Sequence, residues 1–112
     1  IASAVAVTTG TTSPRGPVAH AMAVSLAPQN IRVNGVAFGS VMSASLMAAL
    51  KEMPEWRDQI EEHTPMGRIA AAQELVEAVQ FLASDAASFT TGHIMTVDGG
   101  RSLLDAAGTS AH

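Results

Sequence analysis

Short strand-forming runs separated by helix-forming sequence restrict this chain more than any other feature. Ile1–Val7 is short, apolar and partly β-branched. Ile31–Gly39 alternates, with Ile31, Val33, Gly35 and Ala37 on one pleat face and Arg32, Asn34, Val36 and Phe38 on the other. His93–Val97 makes a third run before Asp98-Gly99-Gly100. Between the first two lies Val18–Ala27, a run of helix formers stopped by Pro28-Gln29-Asn30. Before the third, Ala72, Leu75, Val76, Val79 and Leu82 recur at helical spacing, while Glu74, Glu77 and Gln80 face outward. Strands that alternate with helices pair in parallel under helical cover, because parallel neighbours need a crossover rather than a tight turn. The expected fold is therefore α/β, with three parallel strands and flanking helices.

The connecting segments read as follows. Thr8–Pro17 is rich in turn formers and reads as a loop. Ser40–Leu50 is uncharged and rich in Ser, Met and Ala, and Pro54–His63 sets five charged residues around Trp56 and Ile60. Together they predict one or two short helices on a mobile flap, with Met53 and Trp56 as flap or interface anchors and the acids on a solvated face. The Met-rich stretch Met42–Met53 would line an apolar substrate pocket or serve as adaptable packing. Residues 1–101 form the expected domain, and residues 102–112 are small and polar enough to fray.

Composition removes several classes of function. At 112 residues and 47% apolar content the chain is one soluble globular domain at most. Residues 1–50 hold only Arg15 and Arg32, whereas residues 51–112 hold four basic and ten acidic side chains, which is no footprint for nucleic acid. Without cysteine there is no disulfide, thiol nucleophile or thiolate metal site, so the default compartment is the cytoplasm. His20, His63, His93 and His112 show no metal-ligand spacing. No apolar run approaches the roughly 18 residues of a membrane span, and nothing at the start resembles a signal peptide. The chain opens on a strand with no initiator Met. That leads one to expect sheet upstream, and otherwise an exposed edge and bare apolar faces that a partner subunit would cover.

Four stretches in order carry a family resemblance: Leu26–Gly39, Pro65-Met66-Gly67-Arg68-Ile69, Phe81-Leu82-Ala83-Ser84-Asp85 and Thr91–Gly100. From about Ile1 to Arg101 the chain resembles the C-terminal half of the short-chain dehydrogenase/reductases. The resemblance implies a partial Rossmann-like fold, with NAD or NADP bound at the carboxyl ends of the strands, and hydride exchange with a carbonyl or alcohol. By resemblance, Ser3 matches the strand-end serine that orients the substrate oxygen. Gly39, Val41 and Ser43 match the positions that flank the nicotinamide, although Phe38 stands where the family has proline. The family's phosphate-binding glycines have no counterpart here, since Gly10 lies in Thr-Thr-Gly-Thr-Thr without spaced glycines.

The family's proton relay is a tyrosine with a lysine one helical turn beyond it, which lowers the phenol's pKa toward neutrality. This chain has no tyrosine, and Lys51 is its only lysine. The tyrosine would fall near His20 or Ala21, where the sequence reads as though a short stretch of helix had been dropped. In the family that helix packs against a neighbouring subunit. His20 is the residue there with acid–base chemistry, or is simply solvated. Ser3 without its partners also reads as a small packed residue, Asn34 as a group that satisfies backbone, and Asp98-Gly99-Gly100 as a structural turn.

Three functions follow. The first is an NAD(P)-dependent oxidoreductase that does not turn over as an isolated chain. The second is a truncated, non-catalytic module that forms homo-oligomers. The third is a small serine-type esterase, for which Ser40 would need a histidine such as His63 or His93 beside it, although Gly39–Ser43 is not a nucleophile elbow.

Overall fold

The strand Ile31–Phe38 is the axis of the fold. The computed structural model describes residues 2–9 and 15–104. Labelled in chain order, the elements are β1 (Ala2–Thr9), α1 (Arg15–Leu26), β2 (Ile31–Phe38), β3 (Val41–Met42), α2 (Ala44–Glu52), α3 (Glu55–Glu62), β4 (Ala70–Ala71), α4 (Ala72–Ala83) and β5 (Ile94–Val97). β2 pairs in parallel with β1 from Ala2 opposite Ile31 to Thr9 opposite Phe38. On its other side it pairs in parallel with β5, from Gly35 opposite Ile94 to Phe38 opposite Val97. The three-stranded parallel sheet in the order β1-β2-β5 is the architecture expected from the alternation of elements.

Both faces of β2 are covered, and from Arg32 to Ala37 every residue is buried. On one face α1 packs through Ala19 and Ala23 onto Val33, with Leu26, Ile31 and Ile94 around them. Alanines at this spacing let the helix axis approach the sheet closely. On the other face stand Arg32, Asn34 and Val36, with Leu82 of α4 fully buried. α1 begins at Arg15 rather than Val18, and so places Pro17 in its first turn, where the missing N–H has no intrahelical partner to lose. After α1, Asn30 adopts a left-handed conformation (φ 61°) and donates its N–H to the Ala27 carbonyl (3.0 Å), turning the chain into β2.

Two features differ from expectation. β1 runs on to Thr9, two residues past the expected end of the strand, because β2 continues to offer partners as far as Phe38. A second, two-stranded parallel ladder, Val41 opposite Ala70 and Met42 opposite Ala71, joins the segment after β2 to the start of α4. Strands of two residues have no periodicity that a sequence can display. The flap segment forms two helices, α2 capped by the Ser43 hydroxyl, which accepts from the Leu46 N–H (3.2 Å), and α3 beginning after Pro54. Most of the tail expected to fray lies outside the described residues. No helix among the described residues is long and apolar enough to cross a membrane.

The start of α4 is fixed by one carboxylate. Glu74 accepts from the Ala71 N–H (3.0 Å) and takes both guanidinium nitrogens of Arg68 (2.6 and 2.9 Å). The Arg68 hydrogen bond, then that of the Ala71 N–H, hold the Glu74 carboxyl at about 2, below the ordinary 4.5. A carboxyl depressed in the folded state adds stability above its unfolded value and loses that contribution as the pH falls toward its folded value. Urea unfolding between pH 5 and pH 2 is therefore expected to show a decline that Glu74→Gln flattens; parallel curves for the two proteins would contradict it.

Candidate functional site

At the carboxyl end of β2 the chain leaves the sheet through Phe38, Gly39 and Ser40 and opens onto a cleft of about 560 Å³. Gly39 donates its N–H to the Val97 carbonyl (3.1 Å), so this turn is tied to the end of β5. A Cβ at position 39 would stand 3.0 Å from Asp98 Cβ and 3.2 Å from Asp98 Cα, so any larger residue would have to push the end of β5 aside by a few tenths of an ångström. Ser40 in turn accepts from the Ala70 N–H through its carbonyl (3.1 Å), which continues the β3–β4 ladder to the cleft rim.

The opposite wall is α3. Trp56, Gln59, Ile60 and His63 line the cleft, and their i, i+3, i+4, i+7 spacing makes them one stripe of the helix. None of the acids of α3 lines it. His63 donates from Nδ1 to the Gln59 carbonyl (2.8 Å), because a carbonyl can only accept; Nε2 is then the nitrogen left for a ligand. Thr64 is buried and donates its hydroxyl to the Ile60 carbonyl (2.7 Å), closing the end of the helix.

Arg101 completes the lining, and the turn before it brings it there. Gly99 and Gly100 are both left-handed (φ 64° and 91°) and reverse the chain after β5. Gly100 packs so closely on Pro65 that a Cβ would sit 3.1 Å from that ring, and the Gly99 carbonyl accepts from the Met66 N–H (3.0 Å). Asp98 holds the reversal together, accepting from the N–H groups of Gly100 and Ser102 (2.9 Å each). Burial works against the charge of Asp98, but these donors and the Ser102 hydroxyl outweigh it and lower its pKa. Asp98-Gly99-Gly100 is thus a structural turn. A second cavity of about 310 Å³ adjoins it, sharing Ser40 and Thr64 with the cleft.

Of the residues singled out from sequence, Gly39 lies on the cleft itself. Val41 is taken into the β3–β4 ladder, and the Ser43 hydroxyl is engaged as the cap of α2. Ser3 is not brought to this place. It is the second residue of β1, opposite Arg32, and Gly39 lies seven residue steps beyond Arg32, roughly 23 Å along a strand. The residues that register puts at the carboxyl end of β1 are Thr8 and Thr9. His20 lies at the level of Gly92, which bonds to Val33, the third residue of β2, and so away from the carboxyl edge. Ser40 and His63 do share the cleft, with no hydrogen bond between their side chains. The stripe of α3 and Arg101 were missed: the first was visible as helical spacing within Pro54–His63, the second left no local signal.

Comparison with known proteins gives a consistent picture. The sequence profile of the family described as enoyl-(acyl carrier protein) reductase matches residues 17–102. The 7alpha-hydroxysteroid dehydrogenase of Escherichia coli (strain K12) is 40% identical over 79 residues, which are 70% of this chain and 30% of that enzyme. Among solved structures, Cj0485 dehydrogenase superposes with a TM-score of 0.86 at 25% identity, over 93% of this chain and 47% of that one. An NADPH-bound short chain oxidoreductase from Pseudomonas aeruginosa PAO1, described as containing an atypical catalytic center, superposes with a TM-score of 0.76 at 27% identity, over 88% of this chain and 45% of that one. The chain thus spans less than half the length of the proteins it matches.

Proposed function

Because the chain belongs to the short-chain dehydrogenase/reductase family, we propose that its cleft is the nicotinamide and substrate side of an NAD(P)-dependent site that interconverts a carbonyl and an alcohol. The observation that carries this reading is the position of the cleft. It lies outside the carboxyl ends of parallel strands β2 and β5, where ligands of such sheets bind, and its rim is the Gly39 turn. Its volume is within the range of small-molecule sites, roughly 300–1,000 Å³. The P. aeruginosa relative holds NADPH.

The residues present fit one end of such a dinucleotide. Of the three positions the resemblance assigns, Gly39 would face the nicotinamide ring, which when bound supplies or accepts the hydride, while Val41 and Ser43 would support the turn behind it. Phe38, Trp56 and Ile60 would supply the apolar surface around the ring. His63, with Nδ1 held by Gln59, can carry a proton at Nε2 across the cleft from Ser40. In these 112 residues there is no tyrosine, and Lys51 lies on α2. The isolated chain is therefore expected to bind cofactor without measurable turnover.

Trp56 is the only tryptophan and lines the cleft, so it reports directly on occupancy. Adding NADH or NADPH to the chain is expected to quench Trp56 emission and to excite the nicotinamide by energy transfer, saturably. No transfer at millimolar cofactor would reject the reading.

A second reading, a self-associating module, is favoured by the outer face of α1, where Val18, Met22 and Val24 are exposed, and by the exposed start of β1, Ala2–Ala4. Sedimentation over a range of concentrations tests it: a monomer throughout would remove it.

A further inference from the structure

We propose that the cleft takes a small cyclic carboxylate, with the ring against Trp56, Phe38 and Ile60 and the carboxylate on Arg101. The proposal rests on the reading above for its place in catalysis, but the binding itself stands on the lining alone. Among the described residues of the lining, Arg101 is the one with a permanent charge and none is Asp or Glu. The acid nearest to it in sequence, Asp98, has both oxygens engaged by the N–H groups of Gly100 and Ser102. Arg101 lines the cleft, and its planar guanidinium fork can meet an anion seated there. That fork matches a carboxylate in geometry, two donors to two oxygens.

The rest of the lining selects what is attached to the anion. Trp56, 42% exposed, and Phe38 offer aromatic surface, and Ile60 lies between Trp56 and His63 on the same stripe of α3. A flat or puckered ring covers such a surface at little entropic cost, whereas a flexible chain must be ordered first. Among the described residues of the lining a polyanion has no second permanent cation to meet. An uncharged ring leaves Arg101 without its partner.

The test uses the intact chain and Trp56 emission, checked by calorimetry. Benzoate and cyclohexanecarboxylate are expected to bind saturably and roughly tenfold or more tightly than benzamide, and Arg101→Gln to abolish that preference. Equal affinity for benzoate and benzamide, no binding of either acid, or a preference that survives Arg101→Gln would overturn the proposal. So would displacement of benzoate by an equal concentration of inorganic phosphate, which would reveal a bare anion site. The NADH titration runs separately. Binding of the acids without NADH would leave this assignment standing and remove the cofactor reading, and NADH binding without the acids would do the reverse.

Discussion

Replacing Arg32 by alanine is expected to lower the free energy of unfolding by about 3 kcal/mol. Arg32 is only 7% exposed although it stands in the central strand. Its guanidinium donates to the carbonyls of Leu82 (2.8 Å), Ser84 (3.1 Å) and Thr90 (3.4 Å), the first two at the carboxyl end of α4. The last carbonyls of a helix have no intrahelical donor and carry the negative end of its dipole, so a buried cation is well placed against them. Removing it strands those oxygens and leaves a void beside Leu82, which is fully buried. Nε has no partner, so the clamp works through the two terminal nitrogens. Arg32→Met, which keeps the apolar stem, separates the two effects. A urea midpoint close to that of Arg32→Ala would assign the loss to the carbonyls, and a midpoint close to the unaltered protein would show that the hydrogen bonds contribute little.

Asn34→Ala is expected to cost about 2–3 kcal/mol. Asn34 is 0% exposed, donates to the Thr90 carbonyl (3.0 Å) and accepts from the His93 N–H (3.0 Å). One side chain thereby supports both ends of the turn that starts β5, whose Gly92 N–H and His93 carbonyl also pair with β2 (2.7 and 2.8 Å). Without it the His93 N–H loses its acceptor, the Thr90 carbonyl keeps only the long bond from Arg32 (3.4 Å), and a void opens in the fully buried place of the side chain. Hydrogen exchange at the His93 amide should quicken along with the fall in stability; a protein as stable as the original with a protected His93 amide would show that the amide side chain is dispensable. Asn34→Asp keeps the acceptor but sets an oxygen against the Thr90 carbonyl, and is expected to cost at least as much. The sequence reading of Asn34 as a group that satisfies backbone agrees with this geometry.

How far the fold could be read beforehand depended on the range of the signal. The spacing of Leu75, Val79 and Leu82 announced α4 because a helix repeats its buried face every three or four residues. The alternation in Ile31–Gly39 announced β2, but not that Arg32 and Asn34 would be buried with partners drawn from residues 82–93. Nothing local can show that. The misplacement of Ser3 has the same origin. A short apolar run shows that a strand exists, but its end is set by pairing with β2, which carries β1 on to Thr9.

Sequence alone determined the class of this protein: an α/β sheet of parallel strands, the family resemblance from about Ile1 to Arg101, the glycine turn that closes β5, and the lack of the tyrosine that the family's proton relay requires. These rest on short-range properties such as periodicity, turn chemistry and residue identity. Tertiary structure alone decided that Gly39 faces Asp98, that Arg101 reaches the stripe of Trp56 and His63 on α3, and that Ser3 stands far from all of them. Those relations are fixed by strand register and by hydrogen bonds between residues tens of positions apart, such as Met66 to Gly99 and Arg32 to Leu82, which come into being only once the chain has packed.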